Sequence, residues 1–189
     1  LSVVEVDYLS ASSLSGYATE AWVSSQNYST DVVDSELSDL LTYLTVDTSL
    51  DSVVFSGANV YVQSGAGSTA ARVNGVGNLI VGYDEDASSD KSGSHNLIVG
   101  SYNDYSSYGG AVFGEYNSVS GPYSSVTGGS GGAASGDYST VTGGINGSAS
   151  GDYSSVSGGS SGLASGDYSS VSGGSSGIAE GESSSVTGG

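Results

Sequence analysis

Between Gly121 and Gly189 one fifteen-residue phrase is written almost five times. From Ser150 to Ala164 it reads Ser-Gly-Asp-Tyr-Ser-Ser-Val-Ser-Gly-Gly-Ser-Ser-Gly-Leu-Ala. Gly121, Gly136, Gly151, Gly166 and Gly181 fall at steps of fifteen, and so do Val126, Val141, Val156, Val171 and Val186. A fixed period makes each phrase one structural unit that stacks on its neighbours. The unit is not helical, because each copy carries at least three glycines and several serines, and glycine costs about 1 kcal/mol per helical position. Tyr138-Ser139-Thr140-Val141-Thr142 and its copies read as a short strand, with β-branched and aromatic residues among small ones. The Gly-Gly that follows supplies a turn, since glycine reaches positive φ without a Cβ clash. A second short strand near Gly162-Leu163-Ala164 returns the chain to the next unit. The expectation is a mainly β fold, a parallel β-roll or β-solenoid with fifteen-residue coils about 4.8 Å apart.

The five valines form the expected core of the repeat, joined in each coil by a second apolar residue such as Leu163 and part of Tyr153. Two apolar side chains per coil do not offset the ordering of fifteen residues. Wrapping three copies around one axis would bury a second face of every coil, so a homotrimer is expected on energetic grounds.

Composition narrows the partners. Lys91 and Arg72 are the only basic residues against twenty acidic ones, giving a net charge of −18. That excludes the basic footprint nucleic-acid binding requires. Cysteine is absent, which rules out disulfides and thiolate metal sites. No apolar run approaches the roughly 20 residues a membrane-spanning helix needs. The chain begins at Leu1 without methionine and ends inside a repeat, and so reads as a piece of something longer.

Four segments follow. Residues 1–29 form an N-terminal connector or assembly segment, with Leu1–Leu9 as a strand or clip onto a neighbouring subunit and Trp22 as an apolar anchor. Residues 30–47 carry a short helical plug: Val33, Leu37, Leu40 and Leu44 are spaced like a coiled-coil seam and are the expected trimer interface. Residues 48–76 are transition strands, including Ser52–Ser56 and Ala58–Val62. Residues 77–189 are the β-roll. Its closing glycines, Gly82, Gly100, Gly114, Gly129 and onward, step by 18, 14 and then 15. The first coil therefore carries a surplus, expected to bulge between Asp84 and Asp90.

Asn78-Leu79-Ile80-Val81-Gly82, Gly93-Ser94-His95-Asn96-Leu97-Ile98-Val99-Gly100, Ser106-Ser107-Tyr108-Gly109-Gly110 and the repeated Ser-Val-Ser-Gly-Gly resemble the head repeats of trimeric autotransporter adhesins of the YadA type, over Phe55 to Gly189. The resemblance implies a left-handed parallel β-roll, three chains in one trimer, and adhesion or display at a cell surface. Tyr17-Ala18-Thr19-Glu20-Ala21-Trp22-Val23 is similar to connector segments of trimeric fibres, including phage tail fibres.

Asp137, Asp152, Asp167 and Glu182 share one position of the repeat. Stacked one rung apart, they repel unless solvated, screened or bridged by a cation. Ca²⁺, which takes several oxygen ligands, is the candidate cofactor there and at the acidic cluster of Asp84, Glu85, Asp86 and Asp90; the competing reading is a solvated acidic stripe. Tyr123, Tyr138, Tyr153 and Tyr168 form an aromatic ladder beside the acids, read as structural stacking ahead of sugar or protein binding. His95 is the sole histidine and has no Ser-His-Asp setting. The reading is a non-enzymatic, extracellular structural subunit: a trimeric rod of a fibre or surface adhesin, able to polymerise end to end, with an unknown surface ligand. Two alternatives are a carbohydrate- or ice-binding module, presenting Thr127, Thr142 and Thr187 with Ser157 and Ser172, and a phage-like trimeric tail fibre. Left-handed β-helix acyltransferases are a rival set aside because their repeat is a hexapeptide.

Overall fold

A computed structural model describes residues 37–86 and 88–188. The Leu1–Leu9 segment, Trp22 and Val33 lie outside the described residues. The chain divides into two units, Leu1–Val60 and Tyr61–Gly189. In the first unit, residues 37–41 form a helical turn. An antiparallel hairpin follows, β1 (Leu44–Asp47) and β2 (Ser52–Phe55), in the register Leu44↔Phe55 to Asp47↔Ser52. Leu44 therefore opens a strand and does not extend a helical seam. Thr42, Thr45 and Val46 are β-branched, and such residues favour strand over helix. Asp47 accepts hydrogen bonds from the Ser49 amide (2.9 Å) and hydroxyl (2.6 Å), which starts the turn. Leu37 and Leu40 are about half exposed, at 50% and 48%.

In the second unit the chain winds as a parallel β-solenoid of about seven turns. One sheet has eight parallel strands: β3 (Leu79–Val81), β4 (Leu97–Ser101), β6 (Ala111–Glu115), β8 (Ser125–Ser130), β10 (Thr140–Thr142), β12 (Ser155–Ser157), β14 (Ser170–Ser172) and β16 (Ser185–Thr187). The other has six: β5 (Asp104–Tyr105), β7 (Ser118–Val119), β9 (Ala133–Ala134), β11 (Ser148–Ala149), β13 (Leu163–Ala164) and β15 (Ile178–Ala179). Parallel bridges Ser130↔Ile145↔Ser160↔Ser175 mark a third side. Residues 58–62 are not a strand.

The step between coils is 18 from β3 to β4 and 14 from β4 to β6. Val81 pairs with Val99 while Asp90 lies beside Asp104, so nine steps of chain in the first coil oppose five in the next. The surplus is thus confined between Val81 and Asp90, where the sequence placed it. The change from 14 to 15 is made inside one strand pair: Ala111↔Ser125 keeps 14, Glu115↔Ser130 has 15, and the shift falls between Phe113 and Glu115. A bulge takes one extra residue on one strand. That extra residue is the second glycine of each later Gly-Gly pair.

The core is two side chains wide. Val126, Val141, Val156 and Val171 are buried from one sheet, and Ala134, Ala149, Ala164 and Ala179 from the other. Val186 is only partly buried against them. The alanine, not Leu163, faces inward: Ala164 is fully buried and Leu163 is not, and the interior is so narrow that a Cβ on Gly162 would already stand 3.1 Å from Val156 Cγ1 and 3.2 Å from Val171 Cγ1. Tyr153 is likewise outside, half exposed. Earlier coils are wider, with Ile98, Tyr105, Val112 and Val119 in the same interior. Two buried asparagines join these rungs: Asn103 accepts from the Asn117 amide (3.0 Å), and Asn117 from the Gly132 amide (2.8 Å). Among the described residues, no helix is long and apolar enough to cross a membrane.

Candidate functional site

A solenoid turns each repeat position into a column. One corner column runs Gly77, His95, Gly109, Tyr123, Tyr138, Tyr153, Tyr168 and Ser183, as the registers of the flanking strands fix. All eight have positive φ, between 55° and 81°. A side chain held there costs roughly 1–2 kcal/mol per residue, yet four of the eight are tyrosines. Their rings offset this by stacking. Tyr123–Tyr138, Tyr138–Tyr153 and Tyr153–Tyr168 have centroids 5.2, 5.1 and 5.0 Å apart and interplanar angles of 15°, 5° and 1°. Tyr108 closes one end edge-on against Tyr123. A second stack, Tyr102 on Tyr116 at 4.8 Å, stands at another positive-φ corner. Crowding by neighbouring rings, then the charges of Tyr138, Tyr168, Asp152 and Asp137, holds the Tyr153 phenol above its ordinary value. Ring faces inside the ladder are spent on one another, so it offers solvent mostly edges and hydroxyls.

The acidic column stands one residue away. The Asp137 amide donates to Asp152 Oδ1 (2.9 Å) and the Asp152 amide to Asp167 Oδ1 (3.0 Å). Each of these carboxylates is thus tied to the main chain of the preceding rung. Glu182 continues the column and is exposed. Asp84 and Asp86 have partners of their own, outside that column. Asp84 makes an ion pair with Lys91 at 2.9 Å and accepts the Tyr105 hydroxyl at 2.8 Å. Burial and the Asp84 carboxylate push the Tyr105 phenol well up. Asp86 accepts the Ser88 hydroxyl (2.7 Å) and amide (2.8 Å), which hold its carboxyl below the usual range. Asp90 is lowered by Ser92 in the same way. Among the described residues, no three His, Asp or Glu side chains are grouped to hold a metal ion.

The outer face of the eight-stranded sheet changes character along its length. Two outward columns read Leu79, Leu97, Ala111 and Val81, Val99, Phe113 in the first three strands. In the later strands they become Ser125, Thr140, Ser155, Ser170, Ser185 and Thr127, Thr142, Ser157, Ser172, Thr187. The columns keep their strand register across this change, from Ala111↔Ser125 and Phe113↔Thr127 onward, so the switch from apolar to hydroxyl side chains is made within one continuous sheet face. Leu79 and Val81 are 52% and 54% exposed. In the hydroxyl half, Ser170 donates to Ser185 at 3.1 Å, and Ser125 and Thr140 stand 3.4 Å apart.

His95 is bound at both ring nitrogens by main-chain groups of residues 64 and 69. Sequence patterns pointed to the tyrosine and acid columns, since both are periodic. They gave no sign of the His95 contacts, which span 31 and 26 residues. No protein-family model, no curated protein and no solved structure matches the chain.

Proposed function

We propose that this chain is a structural subunit of an extracellular fibre or surface adhesin, a homotrimeric rod with no catalytic role. The observation that carries this reading is the apolar strip of Leu79, Val81, Leu97, Val99 and Phe113 on the outside of a solenoid whose own core is two side chains wide. A thin core favours burial of a second face, and exposed apolar patches mark interaction sites. Copies wound in parallel would bring like rungs together, strip against strip. Leu37 and Leu40, exposed in one chain, would meet their own copies in the other two. In this reading the Asp137, Asp152, Asp167 and Glu182 column is a solvated stripe, in which main-chain amides already hold the Asp152 and Asp167 carboxylates. Ca²⁺ bridging is its competitor. Negative-stain microscopy and light scattering with and without Ca²⁺ test both: uniform trimers indifferent to Ca²⁺ are expected. Monomers would refute the rod, and growth with Ca²⁺ but not with sodium of equal ionic strength would refute the stripe.

A second reading, a carbohydrate- or ice-binding face, is favoured by one observation. Five rungs present two columns of outward hydroxyls on a parallel sheet. A thermal hysteresis assay tests the ice-binding form. A phage-like tail fibre would share the trimer and differ in what it attaches to.

A further inference from the structure

His95 reaches across a rung. Its column neighbour toward the start of the solenoid is Gly77, which has no side chain, and beyond Gly77 runs the segment 61–69. A Cβ on Gly77 would stand 2.6 Å from the Ser64 amide nitrogen and 2.9 Å from the Gln63 carbonyl carbon. Through that gap the Ser64 amide donates to His95 Nε2 at 3.0 Å, while Nδ1 faces the Thr69 carbonyl at 3.3 Å. The two partners fix the ring's state. A main-chain amide only donates, so Nε2 must be bare; a carbonyl only accepts, so Nδ1 carries the proton. The imidazole is therefore neutral and in a single tautomer.

Between this strap and the ring lies a cavity of about 540 Å³, faced by Tyr61, Gln63, Ser64, Ser68, Thr69 and His95. Of the groups facing the imidazole from the strap, Tyr61 alone titrates. In its own column the flanking residues are Gly77 and Gly109. Among the described residues, no carboxylate or cation lines the cavity to compensate a charge on the ring. The strap is also tied down without the ring, at Ser64 itself and beyond it. The Asn74 amide donates to Ser94 Oγ (3.0 Å), Asn74 Nδ2 to the Ser64 carbonyl (3.0 Å), and the Gly75 amide to the Ser92 carbonyl (2.9 Å). None of those groups titrates.

We infer that His95 is a pH-sensitive latch on the Ser64 amide: proton uptake at Nε2 breaks that one bond, while the Nδ1 proton keeps the Thr69 carbonyl and Asn74 keeps the Ser64 carbonyl. Protonation sets an N–H against the Ser64 N–H, so that contact is present while the ring is neutral and lost once the ring is charged. Aspartate and glutamate titrate lower, which separates the latch from acid unfolding.

The test is hydrogen exchange of the full chain at pH 7.5 and 5.5, corrected for intrinsic rates, with a His95→Gln variant beside it. Protection of the segment around Ser64 should fall roughly five- to ten-fold at pH 5.5, about what one hydrogen bond contributes. The strands around Val141 and Val156 should not change. In the variant the Ser64 segment should show no pH dependence. Unchanged protection in the native chain, or equal loss in the variant, would overturn the inference. Should the variant fail to fold, imidazole nitrogen shifts decide the question, because one histidine needs no assignment: a neutral ring protonated at Nε2 would overturn the latch.

Discussion

Gly158 and Gly159 stand side by side for different reasons. Both have positive φ, 70° and 80°. A Cβ on Gly158 would meet nothing within 4 Å, whereas one on Gly159 would overlap the carbonyl of Gly174 on the next rung. Gly158→Ala should therefore cost only the left-handed backbone, about 1–2 kcal/mol. Gly159→Ala should add an overpacking cost of about 1–3 kcal/mol. Thermal melts of the two variants measure the difference, and equal melts would show that rungs are not in close contact at that corner. The inward serines offer a second contrast. Ser124 donates its hydroxyl to the Gly121 carbonyl at 2.7 Å, but the buried hydroxyl of Ser154 has no partner. Ser124→Ala should lose about 1 kcal/mol and Ser154→Ala should be neutral or stabilising by a similar amount. Tyr105 ties stability to alkaline pH. Its folded-state pKa is raised by burial and by Asp84. For an acid this favours the protonated fold, so the contribution is complete below about pH 10, the ordinary tyrosine value, and is lost as pH rises above it. Tyr105→Phe should flatten that alkaline decline in a pH series of melts; an unchanged slope would assign the decline to other tyrosines.

At the scale of elements, the tyrosine ladder is a cooperative column. Tyr153 stacks on two rings and Tyr168 on one, since Ser183 follows it. Aromatic pairs contribute about 0.5–1.5 kcal/mol each. Tyr153→Ser should thus cost about twice what Tyr168→Ser does, with Ser183 showing that a small residue takes the same backbone. Denaturant titrations of the two variants read this out; equal costs would remove stacking as the force that holds the column. The strand centres were legible because a buried valine recurs at a fixed step. The inward partner was misread as Leu163: hydropathy favours leucine, but in a two-residue strand the faces alternate, and it is Ala164 that is buried. Leu44 was misread because a seam of leucines continues into a segment whose β-branched residues and hairpin pairing with Phe55 decide otherwise. The left-handed backbone of the tyrosines left no trace in the sequence, because tyrosine carries no preference for it. The His95 contacts were equally hidden, since they depend on Gly77 leaving a gap.

At the scale of the whole molecule, the fifteen-residue period was enough to give the parallel solenoid, and the 14-to-15 change in step was visible in the spacing of the closing glycines. The acidic column was visible too, but not its main-chain partners, which come from the rung before. What the period does not specify is the outer face. Leu79, Val81, Leu97, Val99 and Phe113 occupy positions that later coils fill with serine and threonine, and the proposed trimer is the account of that difference. Its most direct measurement is the mass in solution of the native chain and of a Val81→Asp, Phe113→Asp double variant, by light scattering. Three times 18.5 kDa for the native chain, and a single chain that keeps its β-sheet spectrum for the variant, is the predicted result. A native monomer, or a variant that remains a trimer, would contradict it.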